Sequence, residues 1–192
     1  MMKILTQRSL LPKRLTAFAA ESRGAAAIEF AMLLPLMITL YLGCVEFSQA
    51  ISIDRKISLT SRVLSDLVAQ TTSVSDDDMT NIKSAATAVT APYSTANLTL
   101  KISSVKIDAN KNATVAWGDA LNTTARQKGD SVTIPAGLLV ANTTLIWAEA
   151  TYNYTPTIGY VITGTLPLQD QIYMRPRLSD CVLRPPNVMN CT

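Results

Sequence analysis

Histidine is absent from this 192-residue chain, and with it go histidine-dependent catalytic triads and most zinc sites. Glycine is scarce at seven residues, and none of them builds a phosphate-cradling loop. Ser103-Ser104-Val105-Lys106 fits the Ser-x-x-Lys spacing of penicillin-recognising enzymes, but that motif opens a helix and this one lies in a strand-like stretch. Asp76, Asp77 and Asp78 are consecutive, without the spaced ligands and glycine of a calcium loop. No catalytic residue, cofactor or metal is expected. An enzyme is not expected either.

Charge is sparse and uneven. Of 17 basic side chains, five (Lys3, Arg8, Lys13, Arg14 and Arg23) precede residue 25, accompanied there only by Glu21 among the 14 acidic ones. The rest of the chain is therefore close to neutral, which argues against a basic nucleic-acid-binding body. Nucleic acid is not an expected partner.

What the chain has is one long apolar run. Phe30 to Val45, FAMLLPLMITLYLGCV, is free of charge but reaches only about 24 Å as a helix, short of a hydrocarbon core of roughly 30 Å. Starting at Ala25 and accepting Glu29 lengthens it to about 31 Å, which spans. A membrane helix here therefore carries a carboxylate near its N-terminal end, where a charge costs less than at the bilayer centre. The basic leader places the N-terminus in the cytoplasm and the residues beyond about 46 outside it.

The residues around that carboxylate are Arg23-Gly24-Ala25-Ala26-Ala27-Ile28-Glu29-Phe30. A basic leader ending in Gly, then four residues, Glu, an aromatic and an apolar helix resembles the class IV prepilin processing pattern. The resemblance implies cleavage by a membrane aspartyl peptidase after Gly24, leaving Ala25 as the first mature residue and Glu29 as the fifth. A new ammonium group inside a packed bundle of helices needs a carboxylate, and a buried carboxylate needs a cation. Two other processing readings stand beside it. Leu42-Gly43-Cys44 resembles a lipobox with Tyr41 where an aliphatic residue is usual, and Ser48-Gln49-Ala50 could end an ordinary signal peptide.

Over residues 23–50, RGAAAIEFAMLLPLMITLYLGCVEFSQA is similar to the N-terminal signature of TadE-like proteins, pseudopilins of tight-adherence (Flp-type) pilus systems. Tyr173-Met174-Arg175-Pro176-Arg177 also resembles the end of that family's C-terminal domain. The resemblance implies a pilus assembly component in the bacterial inner membrane, with its C-terminal body periplasmic. Its implied partners are a prepilin peptidase, and other pseudopilins or the Flp pilin through the N-terminal helix. A membrane-anchored lipoprotein or envelope-binding module without a pilus role is the alternative.

The expected fold class is α+β. A cytoplasmic leader over 1–24 is followed by a transmembrane helix over 25–49 and a periplasmic body over 50–192. Ala50, Ile53, Ile57, Thr60, Leu64 and Leu67 recur at helical spacing, and neither Gly nor Pro occurs between 44 and 91. One helix running from about 25 to 70 is thus anchor and stalk together. Ser75 and the three aspartates read as the start of a second helix, whose face is Met79, Ile82, Ala85, Ala86 and Val89.

After Pro92 the period becomes two. Leu98, Leu100 and Ile102 alternate, Val105 and Ile107 continue on the opposite parity, and the slip at Ser103-Ser104 suggests a β-bulge. Strands from Ala113, over Thr143–Tyr154 and over Leu166–Arg175 complete an antiparallel sheet of about four. In an oxidising compartment Cys181 and Cys191 are expected to pair, closing a tail loop that contains Pro185 and Pro186. Cys44 should stay reduced in the membrane.

Overall fold

The computed structural model describes residues 22–156, 159, 162–186, 188 and 191, with side chains from Gly24 onward. Most of the expected leader, residues 1–21, lies outside the described residues.

Helix α1 spans Ser22–Ala69, 48 residues, or about 72 Å at the usual rise. It runs through Pro35, where the missing N–H leaves one carbonyl without its usual donor. The helix has two halves of different character. From Gly24 to Val45 no side chain is buried, whereas from Glu46 onward one stripe is closed off by the body. That stripe is Ala50, Ile53, Ile57, Thr60 and Leu64 at the three-and-four spacing seen in the sequence, and it ends on Val68, with Leu67, expected there, only half-buried.

Thr72 to Ser75 turn the chain, and Ser75 caps helix α2, Asp76–Val89. Ser75 Oγ accepts from Asp78 N at 3.2 Å while the Asp78 carboxylate accepts from Ser75 N at 3.0 Å, so two otherwise orphan donors are satisfied. Met79, Ile82 and Ala86 face the core; Ala85, expected on that face, points to solvent because the buried stripe turns toward Thr90. Thr90 Oγ1 meets Thr60 Oγ1 at 3.3 Å, locking α2 to α1.

The sheet comprises β1 (Leu98–Ile107), β2 (Ala113–Leu121), β3 (Thr143–Tyr154) and β4 (Leu166–Met174), all antiparallel, in the order β2-β1-β3-β4. α1 lies across β3 and β4, with α2 beside it. The fold is α+β.

The parity change in β1 has a different cause from a bulge within that strand. Against β3 the register of β1 is unbroken from Leu98↔Tyr152 to Ile107↔Thr143. Against β2 the partners pass from Ser104↔Trp117 to Val105↔Val115, so the extra residue is Ala116 on the neighbouring strand. Leu98, Leu100 and Ile102 bury toward the helices, and Val105 and Ile107 toward the opposite face. There a second core forms with Leu145, Trp147 and Ile134, because the chain between β2 and β3 folds over that face. β1 is thus apolar on one side along its first half and on the other along its second.

The tail also belongs to the core. Leu183 N donates to Thr72 O at 3.0 Å and Val74 N to Leu183 O at 2.9 Å, tying the tail to the α1–α2 turn. Val182 is buried, its carbonyl accepting from Trp117 Nε1 at 2.8 Å. A disulfide joins Cys181 to Cys191.

Candidate functional site: the bare half of the long helix

Gly24, Ala25, Glu29 and Phe30 all lie in the first turns of α1, and all are exposed. A Cβ built on Gly24 meets nothing within 4 Å, so packing among the described residues makes no demand for glycine there. Glu29 is one helical turn beyond Ala25, about 6 Å along the axis. From Ile28 to Tyr41 the large apolar side chains are open on every side of the helix, among them Phe30 at 58% exposure and Met32 at 77%. An apolar rod of that kind is not stable facing water; it needs lipid or other helices around it. By length and composition α1 is long and apolar enough to cross a membrane.

Thr39 Oγ1 donates to the Pro35 carbonyl at 2.8 Å, so its hydroxyl is satisfied inside the helix and adds no polar group to the apolar surface. Cys44 is exposed near the end of the rod and unpaired.

The rod meets the body at a polar joint that sequence reading did not find. Glu46 is 1% exposed, and its Oε2 accepts from Ile162 N at 2.9 Å. Tyr154 Oη donates toward Gln49 Oε1 at 3.1 Å and Glu46 O at 3.3 Å. Burial, and then the Glu46 charge, raise the Tyr154 phenol above its ordinary value, which keeps it a donor. In the sequence Glu46 is simply an acid after the apolar run; only the return of β3 and the chain after it reveals that it is enclosed.

Two further polar constellations lie in the body. Arg184, 7% exposed, reaches from the disulfide-closed tail to Asp119 Oδ2 at 2.7 Å, Asp76 Oδ1 at 2.8 Å and the Val74 carbonyl at 3.2 Å. Lys83 Nζ takes the other oxygen of Asp119 at 2.7 Å. This cluster pins tail, α2 and β2 together. On the far face of the sheet Arg126 stands 3.5 Å over the Trp147 ring and pairs with Glu149 at 2.5 Å, while Trp147 stacks on Tyr173 with centroids 5.3 Å apart. Trp147 and Glu149 are thus sheet-face residues held by Arg126 from the loop between β2 and β3.

The structure places Gly24, Ala25, Glu29 and Phe30, the residues of the expected processing pattern, on the rod and the Cys181–Cys191 bridge in the body, roughly at opposite ends of α1's course. They form no common site. Comparison with known proteins matches residues 24–62 to the TadE family, described as TadE-like protein. No curated protein and no solved structure matches the chain. The matched segment begins at Gly24, contains Glu29 and the whole apolar run, and ends within the buried stripe of the stalk. The similarity to TadE-like proteins thus covers residues 24–62, 39 of the 192 residues.

Proposed function

We propose that the protein is a pseudopilin-type component required for assembly of a tight-adherence (Flp, type IV-like) pilus. A prepilin peptidase removes the leader after Gly24. The first half of α1 then stays in the inner membrane and the α+β body works on the periplasmic side. The role is structural and not enzymatic: helix-to-helix contacts with other pseudopilins or the Flp pilin prime or anchor the filament. One observation carries the reading: the TadE-like segment takes in a rod whose large apolar side chains are left exposed among the described residues.

The continuity of α1 also bears on the lipoprotein alternative. A cut before Cys44 would discard the start of the matched segment and leave a mature chain beginning two residues before Glu46, which the body encloses. The pilin route keeps both. Deleting the gene and counting surface pili, with and without the intact gene restored, tests the proposal. Loss of pili on deletion and recovery on complementation is expected; unchanged piliation would remove the pilus role.

A further inference from the structure

Where the rod enters the body, Phe47, Ala50 and Ile51 of α1 and Ile162, Leu166 and Leu168 of the returning chain enclose an open groove of about 440 Å³ with almost wholly apolar walls. Asp54 is the lining residue furthest along the helix. Phe47 is 64% exposed, and Ile51 and Leu166 are each 39% exposed. A water-facing groove of that composition beside an already exposed apolar rod is unfavourable unless something apolar fills it.

The position of the groove along α1 identifies the occupant. A hydrocarbon span from Ala25 ends at Val45 after about 31 Å. Phe47 then stands about 3 Å beyond the hydrocarbon edge, Ile51 about 9 Å and Asp54 about 13 Å. The headgroup layer on each side of a bilayer is roughly 5–8 Å deep. The apolar lining therefore falls within or at the rim of that layer, and the one carboxylate falls beyond it, in water. The groove is continuous with the lipid-facing surface of the rod, since Phe47 and Ile51 follow Leu40 and Cys44 at helical spacing.

We propose that this groove is seated in the headgroup layer of the membrane and takes up lipid glycerol and upper acyl-chain segments. The inference rests on the anchoring of α1 proposed above. It adds that Ile162, Leu166 and Leu168, more than a hundred residues downstream of the span, also touch lipid. The body then stands on the bilayer instead of swinging above it, and the Glu46–Tyr154 joint sets the angle at which α1 leaves the membrane.

Spin-label accessibility in vesicles of phosphatidylethanolamine and phosphatidylglycerol tests this with the full chain. Nitroxides are placed singly, in a Cys44→Ser background, at Leu36→Cys in the span, Leu166→Cys in the groove and Lys111→Cys in the turn between β1 and β2. Accessibility to oxygen and to a water-soluble nickel complex is then compared. The expected result is an oxygen-to-nickel ratio at position 166 severalfold above that at 111 and approaching that at 36. A ratio at 166 equal to that at 111, with a lipid-like ratio at 36, overturns the groove and leaves the anchor standing. A water-like ratio at 36 overturns the anchor itself. Position 166 closed to both reagents, with spin–spin coupling between copies, would mean that a second chain fills the groove, and the lipid proposal falls.

Discussion

Arg184 and Asp119 meet at 2.7 Å inside the body, one from the disulfide-closed tail and the other from β2, with Lys83 completing the cluster from α2. Three segments distant in sequence meet at the one Asp119 carboxylate. Removing one partner of a buried pair strands the other charge, at a cost of about 3–5 kcal/mol when burial is complete. Both groups here retain some exposure, so Arg184→Ala is expected to destabilise the protein by about 2–4 kcal/mol. Arg177→Ala, which breaks the more exposed pair with Asp66, should cost less than about 1 kcal/mol. Urea denaturation of the detergent-solubilised chain, followed by tryptophan fluorescence, compares the two; equal effects would contradict the role given to Arg184.

The tail bridge closes a loop of about ten residues, and loop-closure entropy assigns it roughly 2–3 kcal/mol. Cys181→Ser together with Cys191→Ser should lower the urea midpoint accordingly. It should also red-shift the emission of Trp117, whose indole donates to Val182 beside the bridge. Alkylation of unreduced protein is expected to label Cys44 alone. Labelling at Cys181 or Cys191 in freshly isolated material would remove both the bridge and the periplasmic placement of the body.

Gly118 and Gly24 separate a structural glycine from one the fold does not require. A Cβ on Gly118 would stand 2.4 Å from the Arg126 carbonyl oxygen, and backbone at that distance has to move. Gly118→Ala is therefore expected to cost about 1–3 kcal/mol and loosen the loop that holds Arg126 over Trp147. Gly24→Ala should leave the denaturation midpoint unchanged, because its Cβ enters open space. A stability loss at Gly24 would mean that its glycine serves packing.

Two surface carboxylates give the pH dependence its sign. The Ser75 hydroxyl and backbone N–H hold Asp78 below the ordinary carboxylate value, and the Asn112 side chain and backbone N–H do the same for Asp108. A depressed folded value contributes stability that is present above the unfolded pKa of about 3.9 and lost as pH falls through the folded one. Carbon NMR titration of the side-chain carboxyls should find both below that value. Ser75→Ala should raise the Asp78 value and leave Asp108 where it was; a shift at both would point to a general effect of net charge.

Much of this fold is written in local pattern. Ala50 through Leu64 repeat at helical spacing over an uninterrupted stretch, and Leu98, Leu100 and Ile102 alternate, so helix, stalk and strands follow from period alone. The second core under Ile134 and Trp147 was not legible in the same way. Val105 and Ile107 record it as a change of parity, which in one strand looks the same as a bulge. Arg184 and Glu46 were hidden for a different reason. A single charge in a loop or after an apolar run carries no sign of burial until partners more than sixty residues away close over it. On the rod the pattern around Gly24 is visible in the sequence because a linear motif needs no tertiary fold to be read; its cleavage is decided by the N-terminus of the mature protein.

Glu29 separates insertion from assembly. If it meets the ammonium group of a neighbouring subunit, Glu29→Gln removes a membrane charge, so insertion should be unchanged or improved. Surface pili should nevertheless be lost or delayed, measured by electron microscopy of cells and by protein in the sheared fraction. Normal piliation in that variant would reduce Glu29 to a marker of the interface or a recognition residue for the peptidase.

The central claim is tested most directly by the N-terminus of the membrane-bound protein isolated from cells that carry its own prepilin peptidase. N-terminal sequencing is expected to begin at Ala25, with a mass lower by about 2.6 kDa for the removed leader, and Gly24→Ser should abolish that cut while the protein stays in the membrane. A mature chain beginning at Met1, at Ile51 or at a lipid-modified Cys44 would contradict it.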